Sequence, residues 1–242
     1  MVSNRSSVWR AMLGLVLPRG CASCDAPDEV LCDDCAGLLR EYVTRPLPGS
    51  LLGVTFACGT YQGGLRRAVL NWKDHGDQEC NRPFLAACDA LIDAAQLPPV
   101  LRKLDAQVLV VPAPSSPSSM RERGRRHLWP IAKGLAHSLA TRGIDVRAAN
   151  ALTIVRARGK SVQTSGAGER AARLTEHNML GDRRKLAGKY VLLLDDIVTT
   201  GTTMRRCTQT VRQAGAVVVA GLALAATPQK SRVTAQCDIS AT

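Results

Sequence analysis

Residues 191–204, VLLLDDIVTTGTTM, constrain the fold more than any other stretch of the chain. Val191 to Leu194 is an unbroken apolar run, the composition of a parallel strand covered on both faces. Asp195 and Asp196 stand at its end, at the carboxyl edge where open α/β sheets collect their ligands. Thr199-Thr200-Gly201-Thr202-Thr203 then offers hydroxyls, small side chains and one glycine. A helix follows, with Met204, Cys207, Val211 and Ala214 on one face and Gly215 at its end, and Ala216–Ala225 reads as a last buried strand. The start of such a helix presents free N–H groups and a positive dipole end, which favour a phosphate. Two adjacent acids repel phosphate, so they call for another partner: vicinal sugar hydroxyls, with a divalent cation nearby. An acidic turn before a capped helix is the plainer alternative. The buried strand, paired acids and Thr-rich loop together favour the site.

The other common nucleotide signatures are missing, since neither GxxxxGK[ST] nor a strand-borne GxGxxG occurs. The 242 residues suffice for one α/β domain with a small appendage. A net charge of +12 points to polyanionic company, phosphorylated substrates or nucleic acid. Only three Trp, three Tyr and two Phe are available, so base stacking along a single strand is poorly served and phosphate contact is favoured.

Cys21-x-x-Cys24 and Cys32-x-x-Cys35, seven residues apart, form two knuckles able to bring four thiolates around one structural Zn²⁺. Before them, residues 6–17 read as a short amphipathic helix on Trp9, Met12, Leu13 and Val16. Its apolar run is too short for a membrane span and its flank is a poor cleavage context, so a cytoplasmic protein without a membrane span is expected. Pro46 to Ser50 reads as a linker. The expected division is therefore 1–45 (helix and zinc knuckle), 50–228 (α/β domain) and 229–242 (tail).

Within the larger domain, 53–61 reads as a strand, 65–73 and 83–96 as helices, and 107–111 as a buried strand. That last strand runs into a Pro/Ser segment, 112–119, expected to be a site loop rather than a linker because of its position. Arg121, Arg123, Arg125 and Arg126 follow, facing a pyrophosphate or forming a solvated basic turn with equal weight. Residues 128–141 read as a helix carrying a surface His137, 147–155 as a strand, 169–177 as a helix and 181–188 as a basic turn. Cys58, Cys80, Cys88 and Cys207 show no ligand spacing and are taken as core or idle thiols.

The 191–204 pattern resembles the phosphoribosyl pyrophosphate (PRPP) signature of type I phosphoribosyltransferases. The order of motifs resembles one group among them, the ComF family: amphipathic helix, four-cysteine knuckle, Tyr61-x-Gly63-x-Leu65-Arg66, Lys73-x-x-Gly76, Val111-Pro-Ala-Pro114, Arg123-Gly124 and the terminal loop. The resemblance implies a type I phosphoribosyltransferase-like α/β fold with a mostly parallel central sheet, plus a small N-terminal zinc-knuckle domain. It implies ribose hydroxyls on Asp195 and Asp196, the 5′-phosphate on Thr199, Thr200, Gly201, Thr202 and Thr203, and pyrophosphate against Ala113, Pro114 and Ser115. Lys73 and Arg123 join these as PRPP-binding residues, and Mg²⁺ accompanies the ligand. A mobile lid over 156–168 matches an Arg156…Gln163…Arg170 spacing, and its Arg156 and Lys160 count with Asp195 and Asp196 as catalytic. Where the family continues Arg-Gly with an aromatic residue and Asn-Gln, this chain has Arg125-Arg126-His127. The activity implied is binding of PRPP and transfer of the phosphoribosyl group to an unspecified acceptor, or sensing of it. The alternative is a non-catalytic accessory of DNA uptake in competence, binding single-stranded DNA or uptake partners.

Overall fold

The structure, a computed structural model, describes residues 20–156 and 177–228. The expected helix at 6–17, nearly all of the lid, residues 169–176 and the tail lie outside those residues.

Eight strands are described: β1 (Val43–Pro46), β2 (Val54–Thr60), β3 (Val108–Pro112), β4 (Val146–Ala148), β5 (Leu152–Arg156), β6 (His177–Gly181), β7 (Tyr190–Val198) and β8 (Val217–Ala226). Six form one sheet in the order β1-β2-β8-β7-β3-β4, and β5 pairs with β6 separately. Every neighbour pair in the large sheet is parallel except β1 with β2. The fold is thus α/β with a mostly parallel central sheet, as expected.

Its interior strands are apolar on both faces because helices cover both. Alternation divides β7 between two cores. Leu192 and Leu194 join Trp72, Phe84 and Leu135, from the helices Gly63–Asp74, Asn81–Ala94 and Leu128–Thr141. Val191 and Leu193 join Met204, Cys207 and Val211, from the helix Thr202–Gln213 on the opposite face.

The chain leaves β3 for β4 on one side and leaves β7 for β8 on the other. The connections after β3 and β7 therefore diverge, and a crevice opens between the strands' carboxyl ends, where such sheets bind ligands. Pairing deepens it: β3 ends opposite Leu194, whereas β7 runs on beside β8 to Val198. Asp195 and Asp196 thus lie inside β7 rather than after it, with the β3 side of the strand left open.

Val43–Pro46 is the edge strand of the main sheet, paired with β2, and Leu47 is a core residue. Expectations for three segments are corrected. The strand expected at 147–155 is two strands in two sheets, broken at Ala149–Ala151, where Ala149 N still donates to Val110 O. The Pro/Ser segment contains a helix, Pro117–Arg123, started by the Ser116 side chain accepting from Ser119 N at 3.1 Å. Residue 177, expected at the end of a helix, begins β6, and the basic turn contains a short helix, Arg183–Leu186, capped by Asp182.

The cysteine segment packs on this body. Ala22 and Leu39 share the core of Trp72, and Asn71 Nδ2 donates to Ala22 O at 2.8 Å. Gly59 on β2 lies against the Leu38 carbonyl so closely that a Cβ there would run into it.

Candidate active site and metal site

The crevice is a cleft of about 350 Å³. It is lined by Ala113, Pro114 and Ser115 from the end of β3, Asp195, Asp196 and Thr199 from β7 and its loop, Lys73, Arg123 and Thr203. Segments far apart in sequence, each singled out above, thus meet at one place. Thr200, Gly201 and Thr202 line an adjoining recess with Asp195 and Thr203. Gly201 caps the following helix at φ +73°, a conformation that favours glycine. The first N–H groups of that 12-residue helix have no intrahelical acceptor. Arg205 braces the loop, donating from Nη1 to Thr200 O at 2.8 Å and from Nη2 to Thr202 Oγ1 at 3.2 Å. Arg156 ends β5 in the second sheet, and Lys160 lies outside the described residues.

The two acids differ because alternate residues of a strand face opposite sides. Asp196 points with Leu192 and Leu194 toward the helix of Lys73. Its Oδ2 accepts from Lys73 Nζ at 2.7 Å and from His127 Nε2 at 2.7 Å, and its Oδ1 accepts from Ile197 N at 2.7 Å. Burial alone would raise its pKa, but the His127 hydrogen bond and the Lys73 charge prevail and bring it down to about 2. Asp195 faces the other side, and its Oδ1 accepts from Asp196 N at 2.9 Å. Burial first, then the neighbouring Asp196 charge, hold the Asp195 carboxyl well above the usual carboxylate range. The pair therefore divides its charge unequally: Asp196 is held as the carboxylate, and burial works against ionisation of Asp195.

Residues missed in the sequence complete this network. His127 is 3% exposed, and its ring meets Trp72 edge-on at 5.0 Å between centroids. Arg123 Nη1 lies 3.5 Å from His127 Nδ1, and Arg123 Nε donates to Asp74 Oδ1 at 3.0 Å. Tyr61 and Ile197 also line the cleft. The only sequence signal for His127 was its place directly after Arg125-Arg126.

The four cysteine sulfurs lie within 4.8 Å of one another, with Cys24 and Cys32 Sγ 3.6 Å apart. Zn–S bonds of about 2.3 Å in a tetrahedron put sulfurs roughly 3.8 Å apart, so the set fits a thiophilic ion. Cys21 is drawn to about 6: burial opposes ionisation, but N–H groups of Cys32, Cys24 and Ser23 outweigh it. Cys35 is pushed up to about 12, by burial foremost. Cys21, Cys24, Cys32 and Cys35 can thus hold a metal, and four protein ligands leave no open position for a substrate. Cys58, Cys80, Cys88 and Cys207 are buried outside this cluster. Among the described residues no helix is long and apolar enough to cross a membrane.

The family model for the phosphoribosyl transferase domain matches residues 129–241. No curated protein sequence matches the chain. Among solved structures, it is similar to glutamine phosphoribosylpyrophosphate amidotransferase from B. subtilis, at 23% identity over 52% of this chain and 24% of that one, TM-score 0.29. The chain therefore spans under a quarter of that enzyme's length. A hypoxanthine phosphoribosyltransferase from Trypanosoma cruzi shows 16% identity over 63% of this chain and 79% of its own, TM-score 0.35. An adenine phosphoribosyltransferase shows 12% identity over 78% and 87%, TM-score 0.37.

Proposed function

We propose that the chain binds PRPP with Mg²⁺ in this crevice and transfers its phosphoribosyl group to an acceptor. The observation that carries the reading is the convergence of the β3 loop, the paired acids and the Thr-rich helix start on one cleft, together with the family match over residues 129–241. Asp195 and Asp196 accept the ribose hydroxyls, the loop 199–203 holds the 5′-phosphate, and Ala113 to Ser115 receive the pyrophosphate. Lys73 and Arg123 neutralise the leaving group, which is where charge develops as the C1′–O bond breaks through an oxocarbenium-like state. Mg²⁺ would be held with the ligand beside Asp195 and Asp196 and would add further neutralisation of the pyrophosphate. Arg156 and Lys160 belong to a lid that excludes water from that step. A crevice of this kind and a four-thiol cluster in one chain support the ComF resemblance within the class, with Zn²⁺ as a structural ion and a cytoplasmic setting.

The test is calorimetric titration with PRPP and Mg²⁺, followed by a pyrophosphate-release assay over purine, pyrimidine and amine acceptors. Saturable binding and acceptor-dependent release are expected. Binding without release would make the protein a sensor. Absence of PRPP binding, with salt-dependent binding of single-stranded DNA, would replace the proposal by the competence-accessory alternative.

A further inference from the structure

We propose that His127 is a positioning residue: it holds Asp196 in the ribose-binding orientation when Lys73 leaves that acid for the pyrophosphate. The inference rests on the phosphoribosyl reading above.

Lys73 and His127 meet the same oxygen, Asp196 Oδ2, each at 2.7 Å. They are not equivalent partners. The Lys73 side chain is 21% exposed, lines the cleft and ends in a compact charge on a flexible stem, free to turn to an arriving polyanion. The His127 side chain is 3% exposed and cannot turn. Trp72 packs edge-on against its ring, and Trp72 is itself fixed by Phe84, edge-on at 5.2 Å, and by its Nε1 donating to Asn81 Oδ1 at 2.7 Å. Arg123, anchored on Asp74, closes the far side of the ring. A guanidinium only donates, so Nδ1 faces it with its lone pair and Nε2 carries the proton given to Asp196. Consecutive residues of one helix thus divide the work: Trp72 seats the imidazole, Lys73 meets the acid and Asp74 holds the arginine behind the ring. Once Lys73 swings to phosphate, His127 and the Ile197 N–H are the remaining donors on Asp196.

Ribose 5-phosphate, which lacks the pyrophosphate, separates the two roles. Lys73→Ala is expected to weaken PRPP and inorganic pyrophosphate while leaving ribose 5-phosphate unchanged. His127→Phe keeps the aromatic packing but removes the donor, and is expected to weaken PRPP on the order of 10-fold for one hydrogen bond to a charged group, and ribose 5-phosphate less, because Lys73 still holds Asp196 when no pyrophosphate draws it away. His127→Gln keeps an N–H donor and should restore PRPP affinity to within about 3-fold. Wild-type affinity for PRPP in His127→Phe, or a His127→Gln no better than His127→Phe, would overturn the proposal. If the wild type binds neither sugar phosphate, the phosphoribosyl reading is what fails. The contact is then judged by imidazole ¹⁵N NMR, which also decides if His127→Phe does not fold. An Nε2-protonated ring in the wild type whose Nε2–H signal loses its hydrogen-bonded shift in Asp196→Ala supports the assignment, and the same signal in both proteins refutes it.

Discussion

Neutralising either acid of the β7 pair should move stability in opposite directions, although Asp195 and Asp196 are adjacent and both buried. Asp196 is drawn from 3.8 to about 2, which corresponds to about 2–3 kcal/mol of folding stability at neutral pH. The sign follows from the folded pKa lying below the unfolded one: the contribution is complete above pH 4 and is lost as pH falls toward 2. Asp196→Asn removes it, and for a chain of this size about 2–3 kcal/mol corresponds to a fall in Tm of roughly 4–12 °C. Relief of Asp195 from its neighbour's charge places the result at the lower end. Asp195 is the reverse case, its folded pKa being raised, so it weakens the fold increasingly as pH rises above its unfolded value. Asp195→Asn removes that penalty and keeps an oxygen to accept the Asp196 N–H, so Tm should rise at pH 7. The rise should shrink toward pH 4, where the unfolded carboxyl also becomes protonated. Thermal unfolding of the ligand-free variants by circular dichroism at pH 7 and pH 4.5 reads both effects. Equal destabilisation by the two substitutions, or a stabilising Asp196→Asn, would refute the division of charge between them.

Three further outcomes test the framework. Gly59→Ala should lower stability by about 1–3 kcal/mol or prevent folding, since its Cβ meets a backbone carbonyl that cannot yield, and a denaturant midpoint equal to wild type would contradict the packing of the cysteine segment on β2. Stripping metal with a chelator should speed amide hydrogen exchange over residues 20–40 and lower the Tm of the whole domain, because Ala22 and Leu39 belong to the core of Trp72. Exchange and Tm both unaffected would mean the thiols hold no stabilising ion. Gly201→Ala forces a side chain into a left-handed conformation against Arg205 Nη1, and should cost about 1 kcal/mol of stability together with a loss of PRPP affinity measured by calorimetry.

What could be read from sequence followed how locally each feature is encoded. The β7–loop–helix unit was legible because its apolar run, acids and small residues are contiguous, and the switch-point crevice follows from where such a strand ends. The inequality of the acids was also present in principle, since strand alternation sends Asp195 and Asp196 to opposite faces. His127 was not legible, because its partner lies 69 residues away and only the docking of Trp72 brings the imidazole there. The Pro117–Arg123 helix carried its start signal in Ser116 and Pro117, but Ser/Pro composition suggested a loop. β1 spans four half-exposed residues ending in proline, too short for alternation to stand out from a linker. The break between β4 and β5 is set by which sheet edge each segment finds, a tertiary choice with little local signature.

The central claim, that PRPP lies over the paired acids, is tested most directly by its affinity for the Asp195→Asn/Asp196→Asn double variant beside the wild type, measured by calorimetry with Mg²⁺. The account predicts measurable binding to the wild type and loss of it in a double variant that remains folded by circular dichroism. Unchanged affinity in a folded double variant would contradict the placement of ribose at Asp195 and Asp196.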